Sequence, residues 1–136
     1  MILLAFDVGR KKTGVAIGNF LTGSARPLAV ARGGRTAQLA AIGAHIREWN
    51  PRTLLVGLPR YLDGGEHGMT RFCRAFAGTL GRRFDLPVEF ADERLTTVAA
   101  RAETGVRGEA DAAAAGIILR DWLRERVARN SPFREK

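Results

Sequence analysis

The first eighteen residues, MILLAFDVGRKKTGVAIG, constrain what the rest of the chain can become. Ile2-Leu3-Leu4-Ala5-Phe6 is apolar at every position, the pattern of a central strand covered on both faces. The run ends in one carboxylate, Asp7. It then turns through Val8-Gly9-Arg10-Lys11-Lys12-Thr13-Gly14 into a second apolar run, Val15-Ala16-Ile17-Gly18. This reads as a hairpin whose first strand delivers an acid to its end, with glycines that allow positive φ or a close backbone approach. A carboxylate beside a buried run is costly unless something pairs with it. A solvated turn aspartate and a functional one both fit this stretch alone, so the decision rests on what converges on Asp7.

Composition narrows the class. With 136 residues and 46% apolar content the chain can fill one core, so a single domain over residues 1–136 is expected. No apolar run approaches the roughly 20 residues of a membrane span. No basic-then-apolar leader opens the sequence, so export is not expected. The lone Cys73 has no internal partner, which suits a reducing cytoplasm. It falls on the apolar face of an expected helix and reads as a core thiol. Net charge is +8, and because three of the 22 basic residues are lysines, 19 are arginines. Arginine makes planar, bidentate contacts with phosphate, so the surplus points to nucleic acid. An arginine-rich genome would explain the choice of Arg over Lys, but not the net charge.

Along the chain, a turn-rich loop over Asn19–Arg26 leads to a third strand, Pro27–Arg32. A helix over Thr36–Trp49 carries Leu39, Ile42, Ile46 and Trp49 at helical spacing. Thr36 is its expected N-cap and Asn50-Pro51 its stop. Trp49 reads as core packing rather than a base-stacking platform. Thr53–Leu58 is a fourth strand, ended by Pro59. A polar loop, Arg60–Gly68, precedes a helix over Met69–Phe84 that buries Met69, Phe72, Cys73, Phe76 and Leu80. Leu86–Ala91 is the fifth strand, followed directly by Asp92-Glu93-Arg94-Leu95-Thr96-Thr97. The Thr pair can cap a short helix over Val98–Glu103. A basic link over Thr104–Glu109 leads into a final helix, Ala110–Ala128, with a frayed tail from about residue 129.

This order is an antiparallel meander feeding parallel βαβ units. Right-handed crossover lays the fourth strand parallel beside the first. The result is an α/β fold with a five-stranded mixed sheet, order 3-2-1-4-5, and helices on both faces. The first and fourth strands then flank the point where the order reverses, and ligand sites in open α/β sheets form there, at the strands' carboxyl ends. Asp7, Pro59 and Asp92-Glu93 all fall on that edge.

The final helix adds a second acid. Asp111 shares a stripe with Ala115, Ile118 and Trp122, the stripe that should face the sheet. A favourable interaction with the helix dipole is the mundane explanation. The small residues Ala112–Ala115 favour another, in which a closely packed helix carries Asp111 to the edge where Asp7 and Glu93 sit. Three carboxylates gathered at one apolar edge repel one another unless a cation neutralises them. Hard divalent ions with oxygen ligands do that, and two such ions about 4 Å apart can activate water and stabilise the leaving oxygen in phosphodiester hydrolysis. The basic residues Arg10, Lys11, Lys12 and Arg94 would lie beside such a site and hold the phosphate backbone. His45 and His67 are too scattered for a zinc site, and no Ser–His or Cys–His arrangement is visible.

Four stretches together carry a resemblance: DVGRKKTGVAIG, VGLPRYLDGGEHGMT, DERLTT and DAAAAGIILRDWL. In this order and spacing the chain resembles the YqgF family of RuvC-like nucleases, over about Ile2 to Leu123. The resemblance implies a ribonuclease H-like fold, Mg²⁺ or Mn²⁺ dependence, and a role in maturing the 5′ end of pre-16S rRNA in the bacterial cytoplasm. It implies a hydrolase acting on ester bonds, with Asp7, Glu93 and Asp111 as catalytic metal ligands and Asp92 as understudy to Glu93. Nucleic-acid contacts are expected at Lys11, Lys12, Arg94 and Thr96. A ribosomal precursor particle is a possible partner, no membrane is, and the chain would act as a monomer or homodimer. The family's usual G-T-K-R-I-G is here Gly9-Arg10-Lys11-Lys12-Thr13-Gly14. A frequent Ser-Asp pair is replaced by Gly18-Asn19, which leaves an accessory acidic position without a counterpart.

Three other functions compete. A Holliday-junction resolvase on branched DNA would use the same acids. A non-catalytic rRNA-binding assembly factor would not need Asp111 on an inward stripe, and its affinity would depend on salt rather than Mg²⁺. A phosphate-binding ATPase half would need a second large domain, for which 136 residues leave no room.

Overall fold

The computed structural model describes residues 1–59, 68–93 and 107–130, with the side chains of 93, 107–111 and 127–130 outside that description. The strands are β1 (Ile2–Asp7), β2 (Lys12–Asn19), β3 (Ser24–Arg32), β4 (Thr53–Pro59) and β5 (Val88–Glu93); the helices are α1 (Arg35–Trp49), α2 (Gly68–Phe84) and α3 (Arg107–Asn130). They form one five-stranded sheet in the order β3-β2-β1-β4-β5, as the meander and crossovers require. β1 is antiparallel to β2 and parallel to β4, and β5 is parallel to β4.

Alternation along β1 sorts the core into two layers. Leu4 and Phe6 pack with Val15, Ile17, Leu54, Val56 and the inward residues of α1 and α2. Leu3 and Ala5 pack on the other face with Ala16, Leu55, Ala91 and the α3 residues Ala115, Ile118, Leu119, Trp122 and Leu123. The continuous apolar runs of β1 and β4 follow, since each side chain has a helix above or below it. Trp49 is half-buried against the α1/α2 layer and Cys73 is fully buried in it, so both are core residues.

The boundaries differ from sequence expectation where pairing extends a strand beyond its apolar run. β2 and β3 pair from Lys12↔Arg32 to Asn19↔Ser24, so the loop expected over Asn19–Arg26 shrinks to a tight turn. The Asn19 Oδ1 accepts the Leu21 amide at 2.8 Å and shapes that turn. This gives the position where the family resemblance expected an acid a structural job instead.

β5 begins two residues later than expected. Asp85 takes positive φ (54°) to leave α2, and the Pro87 carbonyl accepts the Leu54 amide at 3.0 Å as pairing starts. Asp92 and Glu93 are therefore the last residues of the strand, not the loop after it.

Thr36 is not the N-cap of α1. Gly34 caps that helix without a side-chain bond, its carbonyl accepting the Gln38 amide at 2.9 Å. α3 starts at Arg107 and runs to Asn130, taking the end of the expected basic link and the start of the expected tail into the helix. The expected short helix over Val98–Glu103 lies outside the described residues. Among those described, no helix is long and apolar enough to cross a membrane.

Candidate functional site

Asp7 closes β1, pairs with Gly14 across the hairpin and is 8% exposed. Its parity is that of Leu3 and Ala5, so it belongs to the α3 side of the sheet. Strand order reverses beside it, between β1 and β4. The register Phe6↔Val56↔Phe90 sets Asp7 level with Gly57 and Ala91, at the carboxyl edge of the parallel strands.

The same alternation separates the two acids of β5. Val88 packs in the α1/α2 layer and Ala91 under α3. Position 93 shares the parity of Ala91, and hence of Asp7, whereas position 92 shares that of Val88. Asp92 is exposed and lines a cavity of about 350 Å³ between β5 and α3, together with Asp121, Glu125 and Arg126. Arg126 makes a bidentate bond to Glu89 (2.9 Å to each oxygen) and lies 4.5 Å over the Trp122 ring. Of the three acids expected to converge, only Asp7 has a described side chain. Among the described residues no three His, Cys, Asp or Glu side chains cluster as a metal site.

α3 runs against β1. Leu119 lies over Gly18, where a Cβ would come within 2.8 Å of its Cδ2, and Gly18 is level with Leu3. Gly116 lies over Pro27, level with Ala16 and Ala5. The helix therefore climbs toward the carboxyl edge as residue numbers fall. Ala115, Ile118 and Trp122 of the expected stripe are buried against the sheet.

The basic turn after Asp7 rests on a residue the sequence reading passed over. Gln38 of α1 is 1% exposed, and its Nε2 donates toward the carbonyls of Gly33 (3.0 Å), Arg10 (3.2 Å) and Gly9 (3.3 Å). Its Oε1 accepts the buried Thr13 hydroxyl at 2.6 Å, and the Thr13 Oγ1 accepts the Gly9 amide at 3.4 Å. A signal was present: Gln38 stands one turn before Ile42 on the stripe that continues through Ile46 and Trp49, a polar residue on an inward face. Lys11 is exposed and Lys12 half-buried, while the Arg10 guanidinium sits 4.6 Å over the Phe72 ring of α2. Arg94, Thr96 and His67 lie outside the described residues.

Residues 1–125 match the family described as RuvX, Holliday junction resolvase. The chain belongs to the RuvX family. Among curated RuvX-like relatives, one from Paraburkholderia xenovorans (strain LB400) bears the name "Putative pre-16S rRNA nuclease" and is 47% identical over 126 residues, which cover 89% of this chain and 86% of that one. A relative of the same name from Paraburkholderia phytofirmans is 46% identical over the same length. Among solved structures, Thermus thermophilus RuvC in complex with a Holliday junction aligns with a TM-score of 0.54 at 16% identity, covering 93% of this chain and 96% of that one. Fowlpox virus resolvase, also with junction DNA, aligns at 0.52 and 11%, covering 93% and 99%. These likenesses establish the RuvC-like, ribonuclease H-like fold for the RuvX chain.

Proposed function

We propose that this chain is a metal-dependent nuclease that hydrolyses phosphodiester bonds in 5′-end processing of pre-16S rRNA. The observation that carries the reading is Asp7, a buried carboxylate at the sheet's switch point on the face that α3 covers. The names of the relatives supply the substrate class, and the reading puts the chain in the bacterial cytoplasm.

Glu93 and Asp111 are the other two ligands in this reading. Strand parity favours Glu93 over Asp92. Asp111 lies five residues before Gly116, about 7.5 Å further up α3. Asp7 lies two residues, about 6.7 Å, above Ala5 on β1. The two rises match, which supports Asp111 and Asp7 meeting at one edge. An all-carboxylate donor set suits a hard divalent ion such as Mg²⁺ or Mn²⁺ rather than zinc. When bound, one or two such ions supply Lewis-acid stabilisation and a more acidic water. Asp7 and Glu93 from the strand ends and Asp111 from α3 would hold that charge, and the apolar layer beneath Asp7 would restrict water to the open side. Lys11, Lys12, Arg94 and Thr96 hold the phosphate backbone across the site.

The description of the matched family favours a second reading, a resolvase of four-way DNA junctions. It requires a homodimer to cut two strands symmetrically, whereas precursor cleavage needs only a monomer. One experiment separates them. A labelled 16S precursor 5′ leader and a synthetic junction are incubated with Mg²⁺ or Mn²⁺ and with wild type or Asp7→Asn. Removing a ligand that holds several kcal/mol of transition-state stabilisation should lower RNA cleavage about 100-fold or more, with RNA binding retained. Undiminished cleavage by Asp7→Asn would sink the mechanism, and paired symmetric cuts in the junction alone would favour the resolvase. Tight, salt-sensitive RNA binding with neither substrate cut would favour the non-catalytic assembly factor.

A further inference from the structure

We infer that Gln38 is a positioning residue that fixes the basic β1–β2 turn for phosphate contact, an inference that rests on the turn meeting nucleic acid. The turn has few backbone bonds of its own. Its carbonyls at Gly9 and Arg10 point into the protein, where an unpaired carbonyl is costly. Gln38 reaches them from α1, an element some 30 residues away in sequence, and with the same amide holds Gly33 at the start of that helix. The circuit closes on itself: the Gly9 N–H donates to Thr13, the Thr13 O–H donates to Gln38, and the Gln38 amide donates back to the Gly9 carbonyl. Both acceptor and donor ends of the side chain are used, so only an amide of this length fits. The Lys11 carbonyl accepts the Gly33 amide at 2.9 Å, which ties the next residue of the turn to the same helix start.

With its backbone anchored at Gly9, Arg10 and Lys11, the turn holds the exposed Lys11 and the half-buried Lys12 in a fixed place, four and five residues beyond Asp7. Preorganised contacts lose less entropy on binding than contacts made by a mobile loop. The deeper role of Gln38 is therefore to keep the lysines in register with the acid. A purely structural Gln38 would lower stability and leave the lysines' share of binding intact.

The test is a double-mutant cycle read by fluorescence anisotropy on the labelled 16S leader, using folded full-length protein. Gln38→Met keeps the length and removes the hydrogen bonds, and Thr13→Val opens the circuit from its other side if the Met variant does not fold. Either should weaken RNA binding about fivefold, and Lys11→Ala/Lys12→Ala about tenfold or more. Combining the circuit variant with the lysine pair should add less than about twofold, because a misplaced turn has already lost those contacts. Losses that multiply fully would overturn the inference, and so would wild-type binding by the lysine variant. Neither outcome bears on the nuclease reading, which stands or falls on cleavage by Asp7→Asn.

Discussion

Gly9 shows how tightly the site's turn is drawn. A Cβ there would run into the Lys12 carbonyl oxygen, and that atom is backbone that cannot swing away. Gly9→Ala should therefore destabilise the fold by about 1–3 kcal/mol, read as a lower urea midpoint at unchanged m. Gly68→Ala, with nothing within 4 Å among the described residues, serves as the neutral comparison. At this scale the sequence was legible where one residue type is rare for its place, as with Asp7 at the end of an apolar run; the side chain of Asp111 lies outside the described residues. The sequence was silent on Glu93 against Asp92, because choosing between them needs the parity of β5. That parity depends on a strand start that Asp85 and Pro87 set through backbone geometry. Gln38 was overlooked for a different reason. A polar residue on an inward stripe was visible, but three of its four partners are main-chain carbonyls, which leave no mark in the sequence.

Among the elements, α1 is the one with an unused margin. Its N-cap, Gly34, has extended backbone (φ −74°, ψ −177°), bonds no side chain to the first turn, and has open space where a Cβ would stand. Gly34→Ser should supply the missing acceptor and reduce unfolded-chain freedom, a gain of about 0.5–1 kcal/mol. For a chain of this size that is a rise of about 2–5 °C in Tm by calorimetry. A drop would mean that a side chain at Gly34 disturbs the neighbouring Gly33 carbonyl that Gln38 holds. Sequence reading found every described element but misjudged where they end. Apolar periodicity marks what is buried, whereas strand ends follow pairing: Lys12 and Asn19 join β2 because Arg32 and Ser24 stand opposite them. Sheet order was legible because crossover handedness and the apolar runs of β1 and β4 leave few arrangements.

Across the molecule the net charge is +8, and the charges of the described residues fall in distinct places. Near β5 and α3, Glu89, Asp92, Asp121 and Glu125 surround one cavity and Arg126 is already paired. On the other side of the sheet, arginines lie along apolar surface with their charge outward: Arg10 over Phe72, Arg35 over Phe76 and Arg26 near the Trp49 ring. Among the described residues, then, carboxylates gather at the β5–α3 cavity, ring-stacked arginines lie on the other side of the sheet, and the hairpin turn stands at the sheet's carboxyl edge. A polyanion steered by this field should dock over Lys11 and Lys12 with its backbone directed toward Asp7. Each phosphate contact releases counterions, so log K should fall linearly with log salt, by about 0.7 per contact for a single strand and 0.9 for a duplex. Lys11→Ala/Lys12→Ala should flatten that slope by about 1.4 on the single-stranded leader if both lysines touch phosphate. Arg120→Ala, half-exposed on α3 beside Asp121 at 3.6 Å, should leave the slope as it is. Equal flattening by both variants would mean that the surplus acts as a diffuse cloud around the molecule. Flattening by the turn variant alone would locate the phosphate path at the hairpin, where the acid closing β1 can reach it.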